Sequence, residues 1–415
     1  MDGAIKLDER LYKFTTWCVR CLACTMGYPG ARYELLCPIH KKFKFFTYSL
    51  GGIAQVARAL YEGRMEVNES AADLFYKCLS CGGCGEICAE NDFADSMWFQ
   101  HELRARCVEA GQAPFAATTL IDNLKKEDNM LGEAKADRGK WAEGLGLKNI
   151  TQEKADVYFH AGCRYSYDKE LWPALKASVS ILKKAGVDFG IAGKDENCCG
   201  GRAYELGFQG ECIKYAENNM ELLKTAGAKT IVTACADGYY TFKVLYEVLG
   251  KKGNIEVYHI TEYVAKLIRE GTLKPEKPVD LTVTYHDPCH LVRKVEPWFR
   301  SQSGGVIPIQ EKIAKGENYE PPRNILKSIP GLNFVEMPRN KENSWCCGAG
   351  GAVYDTDPDF AMWTATERID EAQSTGADEL ITACPWCKRI FTDAINENKL
   401  NLKVTDIIEL LNRAL

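Results

Sequence analysis

The tripeptide Cys-Cys-Gly occurs twice, in ENCCGG at residues 196–201 and in SWCCGAGG at residues 344–351. An apolar run that ends in a cysteine precedes each copy, DVYFHAGC at 156–163 and TVTYHDPC at 282–289. The two double cysteines lie 148 residues apart. Linked motifs that recur at one spacing indicate a duplicated domain.

A second apolar run follows each copy, IVTAC at 231–235 and LITAC at 380–384, and their cysteines lie 149 residues apart. The first cysteines of the two copies are only 126 residues apart. The second copy has 56 residues between its first cysteine and its double cysteine, where the first copy has 34. We therefore expect an insertion within residues 290–345, in the stretch QSGGVIPIQEKIAKGENYEPPR.

Short apolar runs alternate with longer helical patterns in both copies. The predicted strands are Asp156 to Phe159, Lys229 to Thr233, Leu281 to Tyr285 and Glu379 to Thr382, and a predicted helix covers Phe360 to Ser374. This alternation is typical of βαβ units around a parallel sheet. Ligand sites in such sheets gather at the carboxyl ends of the strands, where helix N-termini favour anionic groups. The cysteines stand at those ends, so the pattern predicts thiolate sites there.

Eight more cysteines form two runs nearer the N-terminus. In each run a CxxCxxC triplet is followed by a fourth cysteine: Cys18, Cys21, Cys24 and Cys37, then Cys78, Cys81, Cys84 and Cys88. In ferredoxins with two clusters, each triplet receives its fourth ligand from the other run. The pattern therefore predicts two cubane [4Fe-4S] clusters, one held by the first triplet with Cys88 and one by the second triplet with Cys37. A pair of zinc knuckles is the alternative, although zinc sites more often use two CxxC pairs.

Composition limits what these cysteines do. The chain has 415 residues, of which 46% are hydrophobic and 26% charged, with a net charge of -5; this is typical of a soluble globular protein and disfavours nucleic acid as a partner. No apolar stretch reaches the roughly 18 residues that a transmembrane helix needs, and the start, MDGAIKLDERLYKF, lacks the apolar core of a signal peptide. We therefore expect a cytoplasmic protein whose 19 cysteines stay reduced, with 17 of them in metal-binding motifs. Only Cys107 and Cys212 stand outside the motifs, as plausible inert thiols.

Behind a two-cluster ferredoxin pattern, the chain carries two copies of one motif, which consists of a single cysteine, then CCG, then CxxC. This arrangement resembles the group formed by the D subunits of heterodisulfide reductases. The iron–sulfur subunits of glycolate, lactate and glycerol-3-phosphate oxidoreductases are similar too, and the resemblance covers about residues 10–410. It implies that a complete motif holds an unusual noncubane [4Fe-4S] cluster, and that the cluster pair of heterodisulfide enzymes cleaves a disulfide by binding both sulfurs. The second copy matches all five cysteines of that motif: Cys289, Cys346, Cys347, Cys384 and Cys387.

The first copy matches four of the five: Cys163, Cys198, Cys199 and Cys235. Gly238 stands where the second copy has Cys387. Four thiolates still suffice for an iron–sulfur cluster or for zinc. We expect a further cluster there, with one iron open or bound by an oxygen ligand such as Asp237; zinc and a metal-free relic are the alternatives.

Several side chains beside these cysteines are candidates for supporting roles. His290 and His286, and with weaker support His160, could hydrogen-bond a cluster sulfur or move a proton, although each could also be an ordinary polar residue at a strand end. Trp345 and Trp386 are expected to shield the second site from water.

His259 lies before a predicted helix, with Val404 at its place in the second copy, and is expected to cap that helix.

These patterns predict a helical ferredoxin-like domain with its connector at residues 1–150, an α/β CCG domain at 151–275 and a second at 276–415. The chain has no GxGxxG or Walker loop for a flavin or nucleotide, so electrons must pass to or from a flavoprotein or another iron–sulfur subunit in a hetero-oligomeric complex. We interpret the chain as the electron-transfer subunit of such a complex. The alternative is a catalytic disulfide reductase subunit that acts through Cys346, Cys347 and His290.

Overall fold

The computed structural model describes residues 7–27, 33–88, 93–295 and 317–415. The N-terminal part is helical, and two parallel sheets surrounded by helices follow it. The helices of the N-terminal part are α1 (Leu7–Trp17), α2 (Pro38–Phe43), α3 (Leu50–Tyr61), α4 (Glu69–Lys77), α5 (Gly83–Ile87), α6 (Phe93–Glu109) and α7 (Phe115–Glu127). Among the described residues, no helix is both long and apolar enough to cross a membrane.

The first sheet has five strands: β1 (Lys148–Asn149), β2 (Val157–His160), β3 (Phe189–Ile191), β4 (Thr230–Thr233) and β5 (Glu256–His259). They pair in parallel in the order β1-β3-β2-β4-β5. The helices of this unit are α8 (Cys163–Tyr167), α9 (Trp172–Lys184), α10 (Gly201–Glu205), α11 (Gln209–Ala226), α12 (Ala236–Tyr240), α13 (Tyr246–Val248) and α14 (Ile260–Arg269).

The second sheet has four described strands: β6 (Thr282–Tyr285), β7 (Asn333–Phe334), β8 (Glu379–Thr382) and β9 (Lys403–Asp406). Their order, β7-β6-β8-β9, repeats the order β3-β2-β4-β5 of the first sheet, again with parallel pairing. The helices of this unit are α15 (Glu320–Ser328), α16 (Val353–Thr356), α17 (Pro358–Gln373), α18 (Pro385–Asn398) and α19 (Ile407–Ala414). The repeated topology confirms the duplication.

The four predicted strands and the predicted helix are present, each within two residues of the expected bounds. The proposed insertion falls mostly outside the described residues, which resume at residue 317. The domain boundaries stay predictions, although β1 belongs to the first sheet and precedes residue 151.

The strand register corrects one equivalence between the two copies. Thr233 pairs with His259 in the first sheet, and Thr382 pairs with Asp406 in the second. Asp406, and not Val404, is therefore the counterpart of His259. Both residues cap the following helix through their side chains, as expected for His259.

The helical part packs tightly against both sheet units through Arg104. Its buried guanidinium donates to the carbonyls of Phe75 at 3.2 Å, Glu205 at 3.1 Å and Gly351 at 2.9 Å, one from each part of the chain. The loop SWCCGAGG lies so close to the helical part that a Cβ at Gly350 would stand 2.4 Å from the Leu79 carbonyl oxygen. Glycine is therefore required there by the approach of two backbones.

Candidate iron–sulfur centres

The first triplet and Cys88 lie together at one end of the helical part. The thiols of Cys88, Cys18 and Cys21 surround Cys24. Burial raises the pKa of the Cys24 thiol to about 11 in the absence of metal. The cysteines line a cavity of about 30 Å³. A cysteine of the second run thus lies beside the first triplet, while the exchange of a cluster ligand between the runs stays a prediction.

The second triplet and Cys37 form a second group. Cys78, Cys81 and Cys37 are charge neighbours of Cys84, whose pKa burial raises well above its usual range. Cys24 of the first group also neighbours both Cys37 and Cys84. The two thiol groups of the helical part are therefore adjacent.

The five cysteines of the second CCG motif form a buried chain of thiol contacts that runs from Cys289 to Cys346, Cys347, Cys387 and Cys384. Local structure explains their placement. Cys384 is the N-cap residue of α18, and Pro385 begins that helix, so two thiols of the CxxC pair lie at a helix N-terminus. Backbone amides add donors, since the Gly348 N–H lies 3.4 Å from Cys346 Sγ.

His286 faces this second site. Its Nδ1 lies 3.2 Å from the Nε–H of Arg368, which can only donate, so Nδ1 accepts and Nε2 carries the ring proton. The ring also contacts Cys347, and its ligand atom lies within 4.8 Å of the Cys347 and Cys387 sulfurs. Nε2 itself has no oxygen or nitrogen partner among the described residues. His286 is thus oriented to donate a hydrogen bond to a thiolate or cluster sulfur.

The second triplet and the second CCG site touch each other. The Cys346 thiol hydrogen-bonds Cys81 and lowers the pKa of Cys81 to about 6, with help from the Arg293 charge. Arg293 fixes this junction because it donates to the carbonyls of Cys81 at 2.8 Å and Ser344 at 2.7 Å. Sequence spacing gave no sign of this contact.

A buried charged cluster, His290, Glu205, Lys294 and Asp237, lies where the two CCG units meet. His290 Nδ1 lies 3.3 Å from Cys289 Sγ and 3.3 Å from an Asp237 oxygen, and its Nε2 lies 2.7 Å from Glu205. Lys294 pairs with Glu205 as well. Against the cost of burial, the carboxylates of Asp237 and Glu205 raise the pKa of His290 well above its usual range.

Arg202 covers the same site from the first CCG unit. Its guanidinium lies 3.4 Å from the centre of the Trp386 ring, pairs with Asp237 at 3.2 Å and Asp355 at 3.1 Å, and donates to the Ala349 carbonyl. The cavity beneath holds only about 10 Å³, room for about one water molecule. Trp386 therefore shields the second site as predicted, and Trp345 is fully buried nearby.

The first CCG site is built differently. Cys198 hydrogen-bonds both Cys163 and Cys199. Arg138, fully buried and contributed by the connector, places its Nη2 3.3 Å from Cys163 Sγ and pairs with Glu196 at 3.0 Å. The Cys198 contact, with the Arg138 charge, lowers the pKa of Cys163 to about 6.

His160 lies beside this first site. Its contacts differ from those of His286, whose ring contacts a thiol of the second site. The His160 Nε2 lies 3.2 Å from the Asn197 carbonyl oxygen, and its Nδ1 has no partner among the described residues. Glu196 accepts from the Ala161 and Gly162 amides and holds the end of β2 in place.

Cys235 differs from the other three first-copy cysteines in the partner of its thiol. Its thiol hydrogen-bonds Cys384 of the second copy. Asp237, expected from the sequence as an oxygen ligand for the first site, also faces the second site, where it pairs with Arg202 and His290. The structure therefore brings three first-copy thiols together and turns the fourth toward the neighbouring centre.

Cys107 and Cys212 are both buried, as expected of inert thiols, and Cys212 is a charge neighbour of Cys199 in the first site. The remaining 17 cysteines form thiol clusters with backbone amide donors. Clustered soft thiolates, with hydrogen bonds to sulfur, suit iron–sulfur clusters. The donor set fits that cofactor class.

Comparison with known proteins agrees. The family model "Cysteine-rich domain" (CCG) matches residues 157–243 and 283–392. The chain is 34% identical to the D subunit of the dihydromethanophenazine:CoB–CoM heterodisulfide reductase of Methanosarcina acetivorans, over 96% of this chain and 93% of that protein. It is 30% identical to the EtfAB:quinone oxidoreductase of Syntrophomonas wolfei, over 83% of this chain and 47% of that protein. The B subunit of the fumarate reductase (CoM/CoB) of Methanothermobacter marburgensis is 29% identical, over 96% and 72%.

The sequence motifs, the two parallel CCG sheets and the similarity to a heterodisulfide reductase D subunit over 96% of this chain lead to one conclusion. The chain belongs to the family of iron–sulfur oxidoreductase subunits that includes the D subunits of heterodisulfide reductases.

Proposed function

We propose that this chain is the electron-transfer subunit of a cytoplasmic redox complex and conducts electrons between a flavoprotein partner and the second CCG centre. The observation that carries this proposal is the continuous order of the thiol groups. Cys24 of the first group neighbours Cys84 of the second, and Cys81 of the second contacts Cys346 of the CCG site. Iron–sulfur clusters in these positions would supply one-electron carriers at each step.

The proposed cofactors follow the thiol groups. Two cubane [4Fe-4S] clusters would bind in the helical part, and a noncubane [4Fe-4S] cluster would bind the five cysteines of the second CCG motif. His286 would hydrogen-bond that cluster, and Arg293 would hold the two neighbouring cysteine loops together.

Electrons would enter or leave at the first group. Cys21 is the only exposed cysteine of the 19. Two large apolar side chains beside it are also exposed, Trp17 at 61% and Val19 at 66%. Apolar side chains around an accessible cluster are suited to docking a redox partner. A flavin-containing subunit is the proposed partner because the chain has no flavin-binding motif of its own.

The closed second CCG site supports electron transfer more than direct catalysis. Arg202 and Trp386 close the second site, and the cavity of about 10 Å³ has no room for a disulfide substrate. A substrate would require Arg202 to leave Trp386 and to break its two carboxylate pairs.

Disulfide reduction is the second candidate function, favoured by the charged cluster at the junction of the CCG units. Cleaving a disulfide to two thiols consumes two electrons and two protons. His290 contacts Cys289 and hydrogen-bonds Glu205, so a group able to hold a proton stands beside the second centre. The names of the M. acetivorans and M. barkeri relatives include this activity for those proteins.

The proposal is tested by measuring reduction of the anaerobically purified holoprotein, followed by rapid freezing and electron paramagnetic resonance. The donors are the co-purifying flavoprotein and, separately, dithionite. The variant Trp17→Ala combined with Val19→Ala should slow reduction by the flavoprotein about tenfold or more and leave reduction by dithionite unchanged. Phe115→Ala is the matched control, because Phe115 is 86% exposed outside the cysteine runs.

Equal rates for the double variant and the control would disprove docking at the first group. Oxidation of the reduced holoprotein by an added small disulfide, with two thiols formed, would instead favour the second candidate function.

A further inference from the structure

Cys235 occupies an unexpected position in the duplicated half. By sequence it belongs to the first CCG motif with Cys163, Cys198 and Cys199. Those three contact one another, whereas the Cys235 thiol contacts Cys384. Cys235 is also 6% exposed, so it is not a surface thiol.

The pairing of Cys235 with Cys384 follows from the fold. Each residue lies two positions after its strand, β4 or β8, and each is the N-cap of the next helix, α12 or α18. They are therefore equivalent positions of the two copies, and they meet where the copies face each other.

Two neighbouring side chains hold this arrangement. His259 Nε2 lies 3.1 Å from the Ala234 carbonyl oxygen, and the same ring contacts the Ala383 backbone. It thus ties together the residues just before Cys235 and Cys384. On the other side of Cys235, Asp237 pairs with His290 next to Cys289. Cys235 and Asp237, at the start of α12, therefore both contact residues of the second centre.

The first site has fewer thiols than the second and a buried arginine beside them. Gly238 provides no fifth thiol, and the Arg138 guanidinium lies 3.3 Å from Cys163. A fully buried arginine paired with Glu196 is fixed in place, so the Cys163 thiol already has a cationic partner.

We propose that Cys235 serves the second CCG centre, as a sixth thiol on the side where the two CCG units meet, and does not ligate metal in the first site. This inference rests on the proposed presence of a cluster at Cys289, Cys346, Cys347, Cys384 and Cys387. Thiolates are soft ligands suited to iron–sulfur centres. A sixth thiol at this position would occupy the approach of an outside sulfur ligand, in agreement with the closed cavity.

The experiment compares three serine variants of the full-length holoprotein, each reconstituted anaerobically. Cys235→Ser is the test. Cys198→Ser defines whatever metal and signal the first site contributes. Cys107→Ser is the matched control, because Cys107 is also buried and burial and Arg104, not another cysteine, set the pKa of its thiol. Iron, zinc and resonance spectra are measured for each.

Cys235→Ser should alter the second-centre spectrum and retain all metal that Cys198→Ser loses. Cys107→Ser should match the unaltered protein. A small alkyl thiol, ethanethiol, should then shift the second-centre signal of Cys235→Ser at least tenfold more strongly than that of the unaltered protein, because the position is open. Any other pattern, above all loss of the first-site metal with an unchanged second-centre spectrum, overturns the proposal.

A measurement on the unaltered holoprotein covers the case in which the variant does not fold. An iron anomalous-difference map of its crystals should place Cys235 Sγ against an iron of the second centre. A map with that sulfur bound to first-site metal, or to none, overturns the proposal. Absence of any second-centre signal in the unaltered protein would instead refute the proposed function, so the two failures are distinguishable.

Discussion

The two CCG units share the order of four strands and four of the five cysteine positions, yet they present different sites. In the second unit five thiols touch in sequence around a buried space. In the first unit three thiols touch, and an arginine lies against one of them. The fold is therefore shared, and the difference lies in what neighbouring segments of the chain contribute.

Each site receives a buried arginine from a different source. Arg138 comes from the connector and pairs with Glu196 beside the first site. Arg368 comes from α17 of the second unit itself, pairs with Glu371 at 2.7 Å and donates to His286. The first arginine reaches a thiol directly, whereas the second acts through a histidine. This comparison suggests that the first site is fixed by charge and the second by sulfur coordination.

The largest expected effect comes from removing equivalent cysteines. Cys347→Ser should abolish the second-centre signal and electron delivery beyond the helical part, because Cys347 contacts both Cys346 and Cys387. Cys199→Ser in the first unit should leave the second-centre signal intact. Resonance spectra of the two holoprotein variants make the comparison. Equal loss of the second-centre signal in both would show that the units are not independent.

The strands and the thiol groups could be predicted because they depend on local information. Apolar alternation identifies a strand such as Val157–His160, and CxxCxxC spacing identifies thiols that share a loop. Arg138 and Glu205 could not be predicted as site residues. Their partners, Cys163 and His290, are 25 and 85 residues away, and no local pattern specifies which distant segment packs there.

The orientation of Cys235 was missed for a related reason. Spacing assigns a cysteine to a motif, but it does not say which neighbouring unit the loop faces. The repeat already makes Cys235 and Cys384 equivalent in sequence, but only the packing of the two units shows that their thiols meet.

The second prediction concerns a variant that breaks the ion pair between Arg138 and Glu196 in the first unit. Arg138→Met should lower the free energy of unfolding by about 3–5 kcal/mol, because Glu196 would remain buried without its cation. Denaturant unfolding of the anaerobic protein measures this. Arg138→Met with Glu196→Gln should recover part of the loss, since the uncompensated charge is then removed. No recovery would mean that packing, and not charge, explains the role of Arg138.

The third prediction concerns the two equivalent histidines. His286→Phe should shift the potential of the second centre by roughly 40 mV, the equivalent of losing one hydrogen bond to sulfur of about 1 kcal/mol. His160→Phe should leave that potential unchanged, because His160 lies against the Asn197 carbonyl in the first unit. Redox titration followed by resonance spectroscopy gives both values. Identical shifts would contradict the orientation deduced from Arg368.

The smallest effect is expected for Gly238→Cys, which restores the fifth cysteine of the first motif. Sequence alone would predict the largest effect for this variant. A Cβ at Gly238 would lie 3.1 Å from Thr233 Oγ1 and 3.8 Å from Cys235 Cβ, so the side chain fits after a shift of a few tenths of an ångström. Replacing a helical glycine gains up to about 1 kcal/mol, which should offset that strain and leave stability within about 1 kcal/mol of the unaltered protein.

The first-unit spectrum of Gly238→Cys should nevertheless not acquire the features of the second. Coordination by five thiolates needs Cys235 as well, and Cys235 is held against Cys384 by the shared contacts of His259. Iron analysis and resonance spectra of the holoprotein test this, with Gly238→Ser as the control of equal size. Conversion of the first centre to a second-like spectrum would show that Cys235 can return to its own motif, and that one missing thiol accounts for the whole difference between the two units.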